Sequence, residues 1–140
     1  MGTEVGPLPL VDAEGAASEL AFGEGPATLV LMLSGSCGYC AEALPAWNDL
    51  AERAARWGVR AAAVQIDGPP GGNPEYRLVL RTPIAFVPGA AGTWLRGIPS
   101  VPAVVLIDGE GVVREVSVAE LTPGRVETLE RAAIAAAAGE

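Results

Sequence analysis

One stretch of this 140-residue sequence constrains the possible folds more than any other, because a buried-strand pattern leads directly to a pair of cysteines. Residues 28–33 form a continuous apolar run between Pro26 and Gly35. Such a run, bounded by turn residues, predicts a strand that is buried on both faces and central in its sheet. Cys37 and Cys40, the only two cysteines, follow within a few residues.

An amphipathic helix is predicted to begin at or near Cys37. From Cys40 onward, apolar residues recur at spacings of three and four, and charged residues occupy the opposite face. Pro45 should kink this helix and Gly58 should end it. A second strand at residues 59–66 would complete a βαβ unit with a right-handed crossover. The apolar positions of the helix are Leu44, Trp47, Leu50, Ala51, Ala54 and Trp57.

The second half of the chain predicts shorter elements in the order ββα. A short helix should follow Asn73-Pro74, with an extended piece and a helical turn after it. A Gly-rich turn at residues 108–111 lies between two strand patterns, which together predict a β-hairpin. Thr122-Pro123 has the composition of a helix start and predicts a last helix. The predicted ranges are 74–81, 84–87, 89–96, 103–107 and 112–118, and one face of the last helix is formed by Val126, Leu129, Ala133 and Ala137.

The length predicts a single domain, residues 1–140, because one fold of this size can bury about two thirds of the surface that its unfolded chain exposes. Residues 1–26 are rich in Gly and Pro around two short apolar pieces, 8–11 and 20–22. They predict an irregular N-terminal extension in which a hairpin covers an edge of the main sheet. The core domain is then residues 27–138.

Composition excludes several kinds of function. The net charge is −8, and the nine basic residues, all Arg, are scattered along the chain, so we expect no nucleic-acid partner. No apolar stretch approaches the ~20 residues that span a bilayer, and the first residues lack the pattern of a secretory signal. Because the sequence has no His, it cannot use Ser-His or Cys-His nucleophilic catalysis or a mixed Cys/His zinc site.

The spacing of the two cysteines favours thiol–disulfide exchange. That reaction needs one accessible thiolate and a second thiol within reach of it. A helix N-terminus stabilises the thiolate through its unsatisfied N–H groups and its dipole. We therefore predict Cys37 as the nucleophile and Cys40 as the resolving thiol. Two alternatives are inert structural thiols and half of a zinc site shared between chains, which carboxylates would have to complete.

The sequence resembles the thioredoxin superfamily in four features: the strand, the Cys-x-x-Cys, the Pro five residues later at Pro45, and Val101-Pro102 before an apolar strand. The N-terminal extension and the pattern Val-Pro-x-x-x-Leu-Ile-Asp-x-x-Gly at residues 101–111 are similar to the TlpA/ResA-like branch. The resemblance covers about residues 5–137. It implies an α/β thioredoxin fold, with a mixed central sheet flanked by helices and an N-terminal extension.

The resemblance also implies a substrate site. Pro102 would be a cis-proline facing the disulfide, and the backbone of Val101 would pair with the substrate chain. The alternative is an ordinary trans proline, since only about 5–6 percent of X–Pro bonds are cis. Gly38 and Tyr39 would contact the substrate from within the motif. Trp94, in a Gly-rich segment before Pro102, is expected to be a further member of the substrate groove.

Three positions depart from the family pattern. Ser36 stands where a Trp usually precedes the first Cys. Leu31 and Ala43 occupy the positions of two carboxylates that handle protons, the first in thioredoxins and the second in ResA-like proteins. Glu42 is adjacent in sequence to Ala43, but one residue on a helix is a rotation of about 100°, so we expect it to face solvent.

The function expected from these features is enzymatic exchange or reduction of protein disulfides, through a mixed disulfide at Cys37 that Cys40 resolves. No metal and no cofactor besides the Cys37–Cys40 disulfide is expected. The partners would be protein thiols or disulfides and a redox partner protein, acting on a monomer. The resemblance favours a location outside the cytoplasm with a leader removed, whereas a full-length chain would be cytoplasmic.

Two other functions remain alternatives at this stage. Ser34 lies three residues before Cys37, as a Thr or Ser does in peroxiredoxins, so a thiol peroxidase is one of them. The Pro that those enzymes carry four residues further upstream is replaced by Val30. The other is a non-catalytic interaction module of the same fold, in which the disulfide is a permanent crosslink.

Overall fold

The chain forms one mixed sheet with helices packed against it, in a computed structural model that describes residues 2–12, 14–23, 25–35, 38–68, 74–118 and 120–138. The strands are β1 (Leu8–Val11), β2 (Ala17–Leu20), β3 (Thr28–Leu33), β4 (Arg60–Gln65), β5 (Ile84–Phe86), β6 (Ala103–Ile107) and β7 (Val113–Val118). The helices are α1 (Gly38–Arg56), α2 (Pro74–Val79) and α3 (Pro123–Ala137), and 3₁₀ helices span Ala90–Gly92 and Trp94–Gly97.

The sheet has seven strands in the order β2-β1-β5-β4-β3-β6-β7. β3 pairs in parallel with β4 and antiparallel with β6, and β4 pairs in parallel with β5. Every residue of β3 is buried, which confirms the predicted central strand. The βαβ and ββα units therefore meet at β3, and the predicted thioredoxin arrangement is confirmed.

Alternate residues of β3 contribute to two separate apolar cores, one on each face of the sheet. Leu29, Leu31 and Leu33 pack beneath α1 and α3. Val30 and Met32 face the other side, where the N-terminal segment and the 3₁₀ helices cover the sheet. The apolar face predicted for α1 is buried at Leu44, Trp47, Leu50 and Ala54, each at most 1 percent exposed.

The N-terminal segment contacts both edges of the sheet. β1 and β2 form a hairpin, and Val11 pairs with Phe86 at the β5 edge. The amide of Gly2 donates to the carbonyl of Val113, and that of Val5 to the carbonyl of Gly111. Residues 2–23 thus run from the start of β7 to the opposite edge of the sheet.

The second strand of this hairpin is Ala17–Leu20, whereas the sequence predicted residues 20–22. The turn explains the difference. The Asp12 side chain accepts hydrogen bonds from the amides of Glu14 (2.9 Å) and Ala16 (2.8 Å), so the chain reverses before residue 17. The pairing of β2 with β1 therefore starts at Ala17 and includes the polar residues Ser18 and Glu19, which a search for apolar runs does not identify as a strand. Elsewhere the predicted elements are present, with α2 ending at Val79 instead of near Arg81.

The turn between β6 and β7 is closed by a buried carboxylate. Asp108 is 6 percent exposed and accepts hydrogen bonds from the amides of Glu110 (2.8 Å) and Val112 (3.0 Å) and from Nε of Arg114 (2.5 Å). Burial raises the pKa of Asp108, but the Val112 amide, Arg114 and the Glu110 amide together hold that pKa below its ordinary value. We call these four residues the Asp108 turn. It lies at the amino end of β3, since Ile107 pairs with Thr28.

None of the helices in the described ranges is both long enough and apolar enough to cross a bilayer.

Candidate functional site

In the sequence the two cysteines follow β3, and the described one, Cys40, lies at the start of α1. Gly38 is the first residue of α1, and Tyr39 and Cys40 follow it in the first turn. Cys40 is fully buried in the core beneath α1. Ser36 and Cys37 lie outside the described residues, so the predicted roles of Cys37 stay predictions, as do the substrate contacts of Gly38 and Tyr39.

A set of polar side chains fastens the end of β3 to the end of β4. Ser34 Oγ donates to Asp67 Oδ1 (2.5 Å), and the Gly35 amide donates to the same oxygen (3.0 Å). The Gln65 side chain donates to the backbone carbonyl of Asp67 (2.8 Å), and the Tyr76 hydroxyl donates to the carbonyl of Ser34 (2.8 Å). We call these five residues the Asp67 cluster. It holds the backbone that immediately precedes Ser36 and Cys37.

The packing inside the Asp67 cluster leaves room only for glycine at position 35. A Cβ on Gly35 would lie 2.7 Å from the backbone oxygen of Asp67 and 2.7 Å from Nε2 of Gln65. Gly68 approaches from the other side, and a Cβ there would lie 3.0 Å from the Gly35 Cα. Gly68 also has φ +91°, which disfavours any side chain. The two loops therefore touch backbone to backbone.

Sequence reasoning missed the Asp67 cluster, although a signal was present. Gln65 and Asp67 are polar residues that follow an apolar strand, and β4 was predicted to be parallel to β3. The carboxyl ends of parallel strands meet at the same edge of a sheet, where sites in α/β folds form. Polar residues at the end of β4 could therefore have been placed near Ser34 and the cysteines.

Pro102 lies at this same end of the sheet. The Val101–Pro102 peptide bond is cis, the isomer that the sequence analysis expected. Met32 pairs with Ala103, so one further step in this antiparallel register brings Pro102 opposite Leu33. Pro102 is buried and Val101 is half-buried. The structure thus brings Pro102 to the end of the strand that leads to the cysteines.

A cavity of about 520 Å³ lies beside Pro102. Its lining comes from the first half of α1, from the Val101–Pro102 segment and from the segment before α3. Trp47 forms part of this lining, and its buried Nε1–H has no hydrogen-bond acceptor among the described residues. The lining residues are Glu42, Ala43, Ala46, Trp47, Val101, Pro102, Glu120 and Leu121.

Trp94 does not line this cavity in the described part of the chain. Its Nε1–H donates to the carbonyl of Gly6 (3.0 Å), and its ring packs edge-on against Phe22, with centroids 5.8 Å apart. Trp94 thus packs against the core on the face of the sheet that the N-terminal segment covers. The sequence expected Trp94 in the substrate groove and Trp47 in the core. In the structure Trp47 is both a core residue and part of the cavity lining.

Of the three positions that depart from the family pattern, the structure describes two, Leu31 and Ala43. Leu31 is fully buried in the apolar core beneath α1, and Ala43 is half-buried in the cavity lining. Glu42 is exposed, as expected, at the rim of the same cavity. Among the described residues, no group of three or more His, Cys, Asp or Glu side chains is placed to hold a metal ion.

The structure resembles solved structures of thiol–disulfide oxidoreductases over nearly its whole length. A Chlorobium tepidum protein, provisionally described as thiol:disulfide interchange protein DsbE, is 25% identical with a TM-score of 0.76, and the match covers 96% of each chain. A second C. tepidum protein, a thioredoxin-family thiol:disulfide interchange protein, is 17% identical with a TM-score of 0.69, and the match covers 97% of each chain.

A third solved structure is the exposed lipoprotein thioredoxin Etrx1 of Streptococcus pneumoniae. It is 17% identical with a TM-score of 0.67, and the match covers 89% of this chain and 98% of that one. No protein-family model matches the sequence, and no curated protein matches it either. The assignment therefore comes from three-dimensional structure. The chain has the same fold as these thiol–disulfide oxidoreductases, the thioredoxin fold.

Proposed function

We propose that the protein is a TlpA/ResA-like thiol–disulfide oxidoreductase that reduces or exchanges disulfides of other proteins. One observation carries the proposal: Cys40 is buried in the first turn of α1, at the end of the sheet where Pro102 also lies, and the only other cysteine of the sequence, Cys37, directly precedes the first residue of α1. A thiol at a helix N-terminus has a lowered pKa and is therefore reactive near neutral pH.

The proposed reaction moves two electrons. The Cys37 thiolate attacks one sulfur of a substrate disulfide, the substrate S–S bond breaks, and the departing thiolate takes a proton from water. Cys40 then loses its proton and attacks the Cys37 sulfur, which breaks the mixed disulfide and releases the second substrate thiol. The products are a reduced substrate and a Cys37–Cys40 disulfide. A redox partner protein restores the dithiol, and no cofactor is needed.

The burial of Cys40 supports the division of roles between the two cysteines. A fully buried thiol cannot approach a disulfide on another protein, but it can attack a sulfur that is covalently held beside it. Ser34 argues against the peroxidase alternative, because its hydroxyl hydrogen is donated to Asp67. It is then not available to a peroxide bound at Cys37.

Reduction of insulin by dithiothreitol tests the proposal. The parent protein should accelerate precipitation of the insulin B chain, Cys37→Ser should not, and Cys40→Ser should accumulate mixed disulfides with substrate proteins. If the parent and Cys37→Ser proteins give the same rate as dithiothreitol alone, the proposal is wrong and the non-catalytic alternative gains. Consumption of hydrogen peroxide that depends on Cys37, without insulin reduction, would point to the peroxidase.

A further inference from the structure

A second cavity lies next to the cavity beside Pro102, and we call the two together the groove. The second cavity, of about 360 Å³, lies between α1 and α3 and shares Ala46 and Leu121 with the first. The groove therefore leads from Pro102 along α1 toward the first turns of α3. A groove of this kind offers a path for a chain segment much longer than the residue that reacts.

The charged residues that line this groove are strongly unequal in sign. Five are carboxylates and only one is basic, Arg53. Arg53 lies 3.7 Å from Asp49, and Glu127 is bonded to Arg131 at 2.6 Å, so two of the five have an Arg neighbour. Arg125 lines the neighbouring cavity between β7 and α3 and donates to the backbone carbonyl of Glu120 (3.0 Å). The five carboxylates are Glu42, Asp49, Glu120, Glu127 and Glu130.

A second observation marks the groove as a binding site. The Nε1–H of Trp47 is buried in its lining and has no acceptor among the described residues. An unsatisfied buried donor is unfavourable, so a molecule that supplies an acceptor is favoured there. A backbone carbonyl of a polypeptide is such an acceptor.

A third cavity, of about 510 Å³, lies between β7 and α3 and also has a buried polar atom without a partner among the described residues, Ser117 Oγ, but its lining has no excess of carboxylates, with Glu115 and Arg125 as its charged residues. Its basic residue, Arg125, is already bonded to the carbonyls of Val118 and Glu120. That cavity also lacks a lining residue in common with the segment around Pro102. The groove thus combines an acidic lining with a buried donor that lacks an acceptor, next to Pro102.

We propose that this groove selects substrates in which basic residues flank the disulfide. The inference rests on the proposed function and names its substrate class: extended polypeptide segments with Arg or Lys close to the reacting cysteine. Carboxylates at the groove attract such segments over several ångströms and raise the association rate more than the final affinity. Segments with Asp or Glu at the same positions are repelled.

The test compares three synthetic peptides that each carry one intramolecular disulfide and differ only in four flanking residues, which are all Arg, all Gln or all Glu. The reduced protein is mixed with each peptide, dithiothreitol restores the dithiol, and kcat/KM is measured for formation of the peptide dithiol. We expect the Arg peptide to exceed the Glu peptide by about tenfold at low salt, and the ratio to fall toward one in ~0.5 M NaCl.

Charge-neutral variants locate the effect. Glu42→Gln with Glu120→Gln should reduce the Arg-to-Glu ratio about threefold, because both carboxylates line the cavity beside Pro102. Glu14→Gln with Glu19→Gln removes the same charge from exposed positions on the N-terminal hairpin and serves as the matched control. An unchanged ratio in the first variant, or an equal fall in both, would overturn the inference.

The Gln peptide separates the two proposals. If the protein reduces the Gln peptide and also the Arg and Glu peptides at one common rate, the groove preference is wrong while the oxidoreductase function stands. If it reduces none of the three, the proposed function is wrong. Binding is then measured with the Cys37→Ser/Cys40→Ser protein and peptides whose cysteines are replaced by Ser. Weaker binding of the Glu peptide than of the Arg peptide supports the groove preference, and equal binding overturns it.

Discussion

Asp67 and Asp108 are two carboxylates that close loops at opposite ends of the same sheet, and they do so in different ways. Asp108 is buried, accepts two amide hydrogen bonds and pairs with Arg114. Asp67 is exposed, accepts from Ser34 and Gly35, and pairs with no basic side chain among the described residues. The Asp108 turn thus contains its own counter-charge, whereas the Asp67 cluster holds its backbone by hydrogen bonds alone.

The difference suggests that the two ends of β3 have different roles: the amino end contributes to stability, and the carboxyl end supports the candidate site. A buried, charge-paired turn at the amino end contributes to the free energy of unfolding and touches no part of the candidate site. Under the proposed function, the Asp67 cluster at the carboxyl end holds the backbone before Cys37 in place, and Cys37 has to be open to another protein. Regions that carry function are commonly drawn from the less stable parts of a structure. Four predictions test this division.

The largest effect is expected from Asp108→Ala. It leaves the amides of Glu110 and Val112 without their acceptor and Arg114 without its partner, so the free energy of unfolding should fall by about 3 kcal/mol. Urea denaturation measures this loss. Exchange activity of the folded fraction should stay unchanged.

The control for Asp108→Ala is Asp12→Ala, which removes a carboxylate that also accepts two amide bonds in a hairpin turn but is exposed. It should cost about 0.5–1 kcal/mol, because water replaces the lost acceptor. Equal losses in the two variants would show that burial and charge pairing do not distinguish the Asp108 turn.

Gly35→Ala should be the next largest, with a loss of about 2 kcal/mol, because its Cβ would lie 2.7 Å from atoms of Asp67 and Gln65. The backbone before Cys37 must then shift, so we also expect slower insulin reduction. Gly97→Ala is the matched control, since no atom lies within 4 Å of a Cβ there. Equal thermal stabilities of the two variants would contradict the close backbone contact.

Asp67→Ala and Asp67→Asn separate the acceptor role of Asp67 from its charge. The amide oxygen of Asn can still accept from Ser34 and Gly35, whereas Ala cannot. We expect Asp67→Ala to lose about 1 kcal/mol of stability and to slow exchange several-fold, and Asp67→Asn to retain most of both. A rate for Asp67→Asn as low as that for Asp67→Ala would show that the charge matters, and the comparison with Asp108 would need revision.

The smallest effect concerns acid stability. Because the folded-state pKa of Asp108 lies below its ordinary value, Asp108 stabilises the protein above the unfolded-state pKa of about 3.9, and this contribution disappears as the pH falls through the folded-state pKa. The difference in unfolding free energy between the parent and Asp108→Asn should therefore be constant near neutral pH and shrink below about pH 4. A difference that grows on acidification would contradict the lowered pKa.

The sequence predicted the parts of the fold that have a local signal. The apolar run of residues 28–33, the three-and-four spacing after Cys40 and the Gly-rich turn at 108–111 each gave the right element in the right order. These signals depend on periodicity and on turn chemistry, which neighbouring residues determine. The cis bond before Pro102 was reached only through the resemblance.

The parts that the sequence did not predict depend on contacts between distant residues. Ser34 meets Asp67 across a parallel strand pair, and Trp94 meets Gly6 and Phe22 across a face of the sheet. The residues next to Ser34 or Trp94 in the sequence do not indicate which distant residue each of them contacts. The acidic groove was missed for the same reason, since its carboxylates come from α1, α3 and the segment before α3.

The N-terminal segment that contacts both sides of the sheet has a consequence for the order of folding. During synthesis residues 2–11 are made well before their partners at Phe86, Gly111 and Val113. Contacts between residues so far apart in sequence form slowly, because a long loop must close before they contribute. One wall of the core is therefore completed late in folding, and until then the apolar residues of β1 remain available to chaperones.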